Sequence, residues 1–499
     1  MSGESLDIEL DRHVAPVNWM NPTPAYRYHL VVMGGGPAGL VAAAGAAGLG
    51  AKVALIEKHR LGGDCLNFGC VPSKALLQSA RVAATVRDAA EFGVVVPPGA
   101  HLDFNEVMAR MRRLRASLAP NDSAERFRGL GVDVFSGAGR FTSPDTIDVG
   151  GQSVRFRRAV IATGARATLP DVPGLAESGF VTNETVFSLV KRPQRLVVLG
   201  AGPVGCELAQ AFARFGAQVT LVVSHANVLP KEDADAARIV EDSLRRDGVE
   251  ILTNARVTEV ASNGAEKLVT IKFNGDPLAT AHRLTDELLV AAGRSPNVEG
   301  LGLDAAGVEF DSRAGVLVDD RLRTTNRRVF AAGDVCSRFQ FTHAADAMAR
   351  VVLQNTLFPG RGRASSLVIP RCTFTDPEVA VVGLTEWEAR EAGVAVDVLV
   401  EEMSHNDRAV LNGETSGFAK VLLQRGSDRI LGATIVARHA GEMLNEITLA
   451  MTAKLGLGAL ARTIHPYPTQ AEVLKRLADQ AQRRRLTPFV KRLLAWWFR

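Results

Sequence analysis

Apolar and polar positions fall into two long phrases of one design. Residues 28–58, YHLVVMGGGPAGLVAAAGAAGLGAKVALIEK, run from an apolar strand through a glycine turn into a small-residue helix and a second strand. Residues 195–225, RLVVLGAGPVGCELAQAFARFGAQVTLVVSH, repeat that plan. Near-continuous apolar strands around a glycine turn predict buried parallel sheets of the doubly wound type, one per phrase. Shorter strand-and-turn phrases answer each unit: AVIATGARATLPDVPG at 159–174, LLVAAGRSPN at 288–297 and TTNRRVFAAGDV at 324–335. Beyond Gly360 the texture changes to alternating Val-rich stretches, then to helical AGEMLNEITLAMTAKLGLGALA, which predicts an antiparallel sheet backed by helix. Residues 1–27 read as an irregular extension, and 483–499 as a basic, aromatic, amphipathic tail. The fold class is therefore α/β, with two Rossmann-like dinucleotide-binding domains and a C-terminal α+β domain.

Composition narrows this picture. At 499 residues, 46% hydrophobic and 22% charged, the chain has the make-up of a soluble globular protein of about three domains. Five cysteines in such a length do not form a secreted disulfide framework. No charged-then-apolar leader opens the sequence, and the longest apolar run, 38–56, contains Lys52 and many glycines. A cytoplasmic location is expected. Six of the basic residues (Arg483, Arg484, Arg485, Lys491, Arg492 and Arg499) lie in the tail without an acid among them, and discounting them turns the net charge of +4 negative. The body is not expected to bind nucleic acid.

Within the first phrase, Gly34, Gly36 and Gly39 form G-x-G-x-x-G, with Glu57 at the end of the following strand. This spacing lets backbone N–H groups and a helix start meet a pyrophosphate, while the acid takes ribose hydroxyls. Gly200, Gly202 and Gly205 repeat the motif, but the matching offset falls on Val223, followed by Ser224 and His225. A carboxylate there would repel a 2′-phosphate. Its absence, with Lys231 nearby, leans toward NADPH, NADH being the alternative; Ser224 and His225 also fit solvated loop positions. Gly164, Gly293 and Gly333 in the shorter phrases are further cofactor-contact candidates. The stretch GDCLNFGCVPSK, 63–74, holds Cys65 and Cys70. No further ligands accompany them at zinc spacing, and a staple over so short a loop would contribute little, which leaves a redox dithiol. Cys206, Cys336 and Cys372 read as inert. No resident metal site is expected.

With GGDCLNFGCVPSK, two dinucleotide motifs, ATGARATLPDVPG and FAAGDV, the chain over residues 28–475 resembles the flavin-dependent pyridine nucleotide–disulfide oxidoreductases. That family includes dihydrolipoamide dehydrogenase, glutathione reductase and mercuric reductase. The resemblance implies FAD on Gly34, Gly36, Gly39, Glu57 and Asp334, with NAD(P)H on the second glycine unit. It implies Lys74 beside the flavin and paired with Glu207, Cys70 facing the flavin, and Cys65 as the exchange thiol. It also implies a homodimer and these segments: an extension at 1–27, FAD-binding parts at 28–175 and 295–360, an NAD(P)-binding domain at 176–294, a dimerisation domain at 361–482, and the tail.

One departure bears on the substrate. Disulfide-reducing members carry a His five residues before a Glu; here, in IHPYPTQAE, Glu472 is preceded at that distance by Tyr467, and His465 lies two residues earlier. A His–Glu pair shuttles protons near neutral pH, whereas Tyr, with an ordinary pKa of about 10, does not. Tyr at this place resembles mercuric reductase, although packing of a dimer seam would also account for it, and the terminal cysteine pair usual in that enzyme is missing. The expected activity passes electrons from NADPH through FAD and the dithiol to a metal ion or another small acceptor. The alternatives are a dihydrolipoamide-dehydrogenase-like exchange served by His465 and a flavin-bearing redox sensor. Basic charge beside paired Trp in the tail fits an anionic membrane surface. A helix packed on its own dimer, or a solvated end, fits it too.

Overall fold

The computed structural model of the protein describes residues 3–264, 266–484 and 486–498. The chain opens on a helix, α1 (Gly3–Val14), where an irregular extension is expected from sequence. Leu6, Leu10 and Val14 recur every four residues and make one apolar stripe, 3%, 0% and 2% exposed. Burying each contributes about 1.5–3 kcal/mol, enough to fix a helix that has no long-range partner in the sequence pattern.

The first repeated phrase folds as β1 (Tyr28–Met33), α2 (Pro37–Gly48) and β2 (Val53–Glu57). The strands pair in parallel from Leu30↔Val53 to Met33↔Ile56. Two helices carry the cysteines: α3 (Gly63–Asn67) and α4 (Cys70–Arg87). Next comes α5 (Phe104–Leu118), capped by Asp103, whose carboxylate accepts from the Asn105 N–H at 2.9 Å. With β3 (Val132–Ser136) and β4 (Gln152–Ile161), the parallel order is β3-β2-β1-β4, and an antiparallel hairpin extends the sheet beyond β4.

The second phrase supplies β5 (Arg195–Leu199), α6 (Pro203–Arg214) and β6 (Gln218–Val222). Joined by β7 (Glu250–Leu252) and β8 (Glu287–Val290), they form a parallel sheet of order β7-β6-β5-β8. A three-stranded antiparallel meander lies between β7 and β8 in the chain. The chain then returns to the first sheet: β9 (Val329–Ala331) pairs with β4, and α7 (Thr342–Leu357) packs against α2.

The remaining strands, β10 (Pro370–Thr373), β11 (Glu378–Gly383), β12 (Val396–Glu402), β13 (Phe418–Gln424) and β14 (Ile430–Ala437), form one antiparallel sheet of order β10-β11-β14-β13-β12. α8 (Ala440–Thr452) covers β11 and β14, and α9 (Glu472–Arg484) covers β12 and β13. The tail adds α10 (Pro488–Trp497), on which Phe489, Trp496 and Trp497 are exposed. Two of the tail's six basic residues, Arg485 and Arg499, lie outside the described residues. Among the described residues no helix is long and apolar enough to cross a membrane.

Candidate functional site: a dithiol between two dinucleotide cradles

Parallel strands present their carboxyl ends, and the helix starts behind them, toward a common crevice. Here β1, β2 and β4 meet β5, β6 and β8 around one cavity of about 2160 Å³. Pockets that hold a single drug-sized ligand run to about 1,000 Å³. This one has room for two dinucleotides.

Both glycine turns are built alike. A Cβ on Gly39 would stand 1.8 Å from the Gly34 carbonyl oxygen, and one on Gly205 would stand 1.9 Å from that of Gly200, so each helix is pressed against its own turn. Gly36 and Gly202 precede α2 and α6 without any side-chain cap, which leaves the first N–H groups of both helices facing the cavity. Glu57 is held by two backbone donors, Gly35 N–H at 2.6 Å and His59 N–H at 2.7 Å. Asp334 is half-buried, and its loss of solvation pushes its carboxyl up to about 6 despite Arg294 at 3.6 Å. An open helix start, an anchored acid and an under-partnered, half-buried carboxyl fit the phosphates and hydroxyls of an extended FAD.

At the second cradle the β6 strand runs on into Val223, which is 1% exposed and presents no acid. Ser224, His225, Lys231 and Arg256 line the wall there. The Arg256 guanidinium is steadied by Asn274 Oδ1 at 2.7 and 3.1 Å, while Asn274 donates to the Ser224 carbonyl at 3.1 Å. Arg256 has no carboxylate partner among the described residues and came from the meander, beyond the reach of the motif reading.

The cysteines sit where the two cradles meet. Both are free thiols, Cys65 on α3 and Cys70 as the first residue of α4. Their hydrogen bond splits them. It is the largest cause of the fall of Cys70 to about 6, against burial and with help from Thr342 and Lys74; the same bond and burial push Cys65 far up. Thr342, at the start of α7, places Oγ1 3.3 Å from Cys70 Sγ. One turn along α4, Lys74 Nζ lies 2.9 Å from Glu207 Oε2 of α6 and 4.5 Å from the centre of the Phe374 ring. Burial pulls the Lys74 ammonium down, yet the Glu207 charge and hydrogen bond outweigh it and its value ends above ordinary. Glu207 Oε1 also accepts from Phe374 N–H at 2.9 Å, tying α6 to the segment after β10.

Gly164, Gly293 and Gly333 line the same cavity. Arg294, beside Gly293, places Nη1 2.7 Å from Asp64, the residue before Cys65, and Asn183 donates to the same carboxylate at 3.1 Å. Arg294 and Asp64 lie inside phrases that carry the motifs, but only the fold brings them together. Thr342, Phe374 and Asn183 carried no local signal. Of the other cysteines, Cys206 is fully buried, while Cys372 lines the cavity with its thiol pushed up by burial.

The C-terminal candidates stand apart. Tyr467, His465 and Glu472 do not line the cavity of their own chain. Tyr467 is 71% exposed and donates to Asp407 at 2.9 Å, a bond that holds its hydroxyl above the ordinary range. His465 Nε2 lies 3.1 Å from the Glu446 carboxylate. Glu472, at the start of α9, approaches Arg476 at 3.7 Å.

Two dinucleotide cradles converging on a free dithiol define a flavin-type dithiol oxidoreductase. The chain belongs to the pyridine nucleotide-disulphide oxidoreductases: the profile of that family matches residues 28–349, and that of its dimerisation domain matches residues 369–478. FAD and NAD(P)H are the cofactors of this family, and the dimerisation domain supports a homodimer. A mercuric reductase from Bacillus cereus is 33% identical over 473 residues, 95% of this chain and 74% of that protein. A dihydrolipoyl dehydrogenase from Mycobacterium tuberculosis is 36% identical over 461 residues, 90% of this chain and 97% of that protein. Among solved structures, the Cu(II) complex of the HOCl-induced flavoprotein disulfide reductase RclA from Escherichia coli superposes with a TM-score of 0.80 at 29% identity, covering 90% of this chain and 99% of that one.

Proposed function

We propose that the protein passes electrons from NADPH, by way of FAD, to the Cys65–Cys70 pair and on to a thiophilic metal ion. On this reading residues 28–175 and 295–360 hold FAD and residues 176–294 hold the nicotinamide cofactor. FAD supplies, when bound, the two-electron relay between nicotinamide and disulfide. The chain's own residues do the rest. Lys74 and Glu207 keep a cation beside the Cys70 thiolate, Cys65 meets the acceptor, and Arg256 with Ser224 takes the 2′-phosphate.

The observation that carries the metal reading is Tyr467. A disulfide acceptor needs a proton delivered to the departing thiol near neutral pH, and a phenol held above its ordinary pKa does not exchange one there. A metal ion bound by two thiolates is reduced without that proton. The mercuric reductases among the relatives, and the copper complex of RclA, agree with such an acceptor. One contact favours a second reading. The His465–Glu446 pair has the composition of a proton relay, and it would serve a dihydrolipoamide-type exchange if a partner subunit brought it to the cysteines.

Anaerobic reduction with NADPH or NADH, followed by Hg(II), Cu(II), lipoamide, glutathione disulfide and quinones as acceptors, separates these. The proposal expects faster reduction by NADPH and steady turnover with a metal ion that is lost in Cys65→Ser. Lipoamide turnover abolished by His465→Ala would replace it with the second reading. Acceptor turnover that survives Cys65→Ser, or one reduction by NADPH followed by a stall with every acceptor, would end both.

The tail completes the proposal as a contact with anionic lipid. From Gln480 onward the sequence has no acid, and the exposed Phe489, Trp496 and Trp497 of α10 share that segment with Arg483, Arg484, Lys491 and Arg492. Full-length protein should pellet with phosphatidylserine-containing vesicles while a version ending at Gln482 stays in solution. Equal pelleting would reject the contact.

A further inference from the structure

The helix α1 precedes the segment matched by the family profile, which begins at residue 28. The residue that follows the helix, Ala15, nevertheless lines the cavity, as Arg60 does. We propose that α1 is a clamp on the redox loop, residues 60–69, with Asp7 and Asp11 as its positioning residues. This inference rests on the redox role given to Cys65 and Cys70.

Three guanidiniums gather behind that loop: Arg60 at its start, and Arg112 and Arg115 on α5. The two on α5 are 8% and 5% exposed. All of their carboxylate partners among the described residues come from α1. Asp7 pairs with Arg115 and lies 3.7 Å from Arg112, and Asp11 pairs with Arg60 at 2.7 Å. Arg115 then spends a donor on the loop itself: its Nη1 reaches the Asn67 carbonyl at 3.0 Å. Asn67 is fully buried between the two cysteines, and its amide donates to Leu61 O at 3.0 Å and Gly63 O at 2.8 Å.

Two further ties bind the same loop. The Val14 carbonyl accepts from Leu61 N–H at 2.9 Å. Leu10 and Val14 share one apolar cluster with Leu61 and Leu66, the residue next to Cys65. The helix therefore grips the loop by charge, by backbone and by side-chain packing.

Without the two carboxylates, three like charges would remain together, two of them buried. Burial already lowers the Arg115 pKa, Arg60 and Arg112 add to that, and Asp7 opposes it. A guanidinium without its counter-ion turns toward water, and the Asn67 carbonyl loses its donor. The loop between the thiols then loosens, and the Cys65–Cys70 hydrogen bond that keeps Cys70 low is the first casualty. The groups outside the loop that face the thiols, Lys74, Thr342, Asp122 and Asp334, stay in place, while Asp64 moves with the loop.

The test uses full-length, FAD-loaded protein carrying Asp7→Asn and Asp11→Asn together, with Asp7→Glu as the conservative control. Amide exchange in peptides covering 60–70 should quicken by about tenfold or more, while β12 and β13 exchange as in the parent. Alkylation of the reduced protein should show the Cys70 midpoint rising by about half a unit or more. Asp7→Glu should restore both. Exchange within twofold of the parent, an unmoved midpoint, or uniform acceleration along the whole chain would each overturn the clamp. Neither measurement involves an electron acceptor, so a failure here leaves the proposed reaction standing and is told apart from a failure of that proposal.

Discussion

Replacing Cys65 by Ala tests the site at its most specific point, because it removes the donor that does most to lower the Cys70 thiol. A hydrogen bond to a charged group contributes about 1.5–3 kcal/mol, and one pKa unit corresponds to about 1.4 kcal/mol. Cys70 should therefore move from about 6 to roughly 7–8. It stops short of the ordinary thiol value of about 8.5 because Thr342 and Lys74 remain. At pH 7 the thiolate share should fall from about nine-tenths to between roughly a half and a tenth. The assay is iodoacetamide alkylation of anaerobically reduced protein between pH 5 and 10, with Cys70 followed by peptide mass spectrometry. A variant whose midpoint stays with the parent's would show that Cys65 is not the controlling donor. A parent midpoint near 8.5 would refute the whole account of the pair. Stability follows with a defined sign. The depressed Cys70 value stabilises the reduced protein above about pH 8.5, and that contribution is lost as pH falls through about 6. The raised Cys65 value contributes below about 8.5 and is lost as pH climbs, so these two groups together place the maximum near that pH.

Three other substitutions probe the cradles. Arg256→Gln should weaken 2′,5′-ADP binding by about 10- to 100-fold in calorimetry and leave 5′-AMP unchanged, as expected for one charge-assisted contact; equal losses for both would mean Arg256 does not read the 2′-phosphate. Gly39→Ala forces a methyl to 1.8 Å from the Gly34 carbonyl, so α2 must back away and flavin absorbance per mole of chain should fall sharply. Full flavin content at an unchanged melting temperature would contradict that geometry. Glu207→Gln keeps an acceptor for Phe374 N–H but leaves Lys74 without its counter-charge. Breaking a buried pair costs about 3–5 kcal/mol, and the 36% exposure of the Lys74 side chain brings the expected loss to about 1–3, readable as a lower urea midpoint.

How far the sequence carried the reading depends on the distance over which each feature is built. The glycine turns, the acid that ends β2 and the cysteine pair are local: strand period, turn and helix start all fall within about thirty residues, so the spacing alone implies the geometry. The charged frame of the dithiol is different in kind. Thr342, Phe374 and Arg294 reach Cys70, Lys74 and Asp64 from segments more than two hundred residues downstream, and only the return of β9 and α7 to the first sheet brings two of those segments near. Nothing in a local pattern encodes that return. The helix α1 was missed for a related reason. Its apolar stripe of Leu6, Leu10 and Val14 is only three residues long, and it is stable because Leu61, Leu66 and the arginines of α5 lie opposite. The motif therefore located the chemistry, while what tunes it was set by topology: which cations stand behind the loop, which hydroxyl meets the thiolate, and which residue waits where a His was expected. That division agrees with relatives that include both mercuric reductases and dihydrolipoyl dehydrogenases. In the function proposed above, the motif residues bring electrons as far as the dithiol, and groups such as Tyr467 that lie outside the motif select the acceptor.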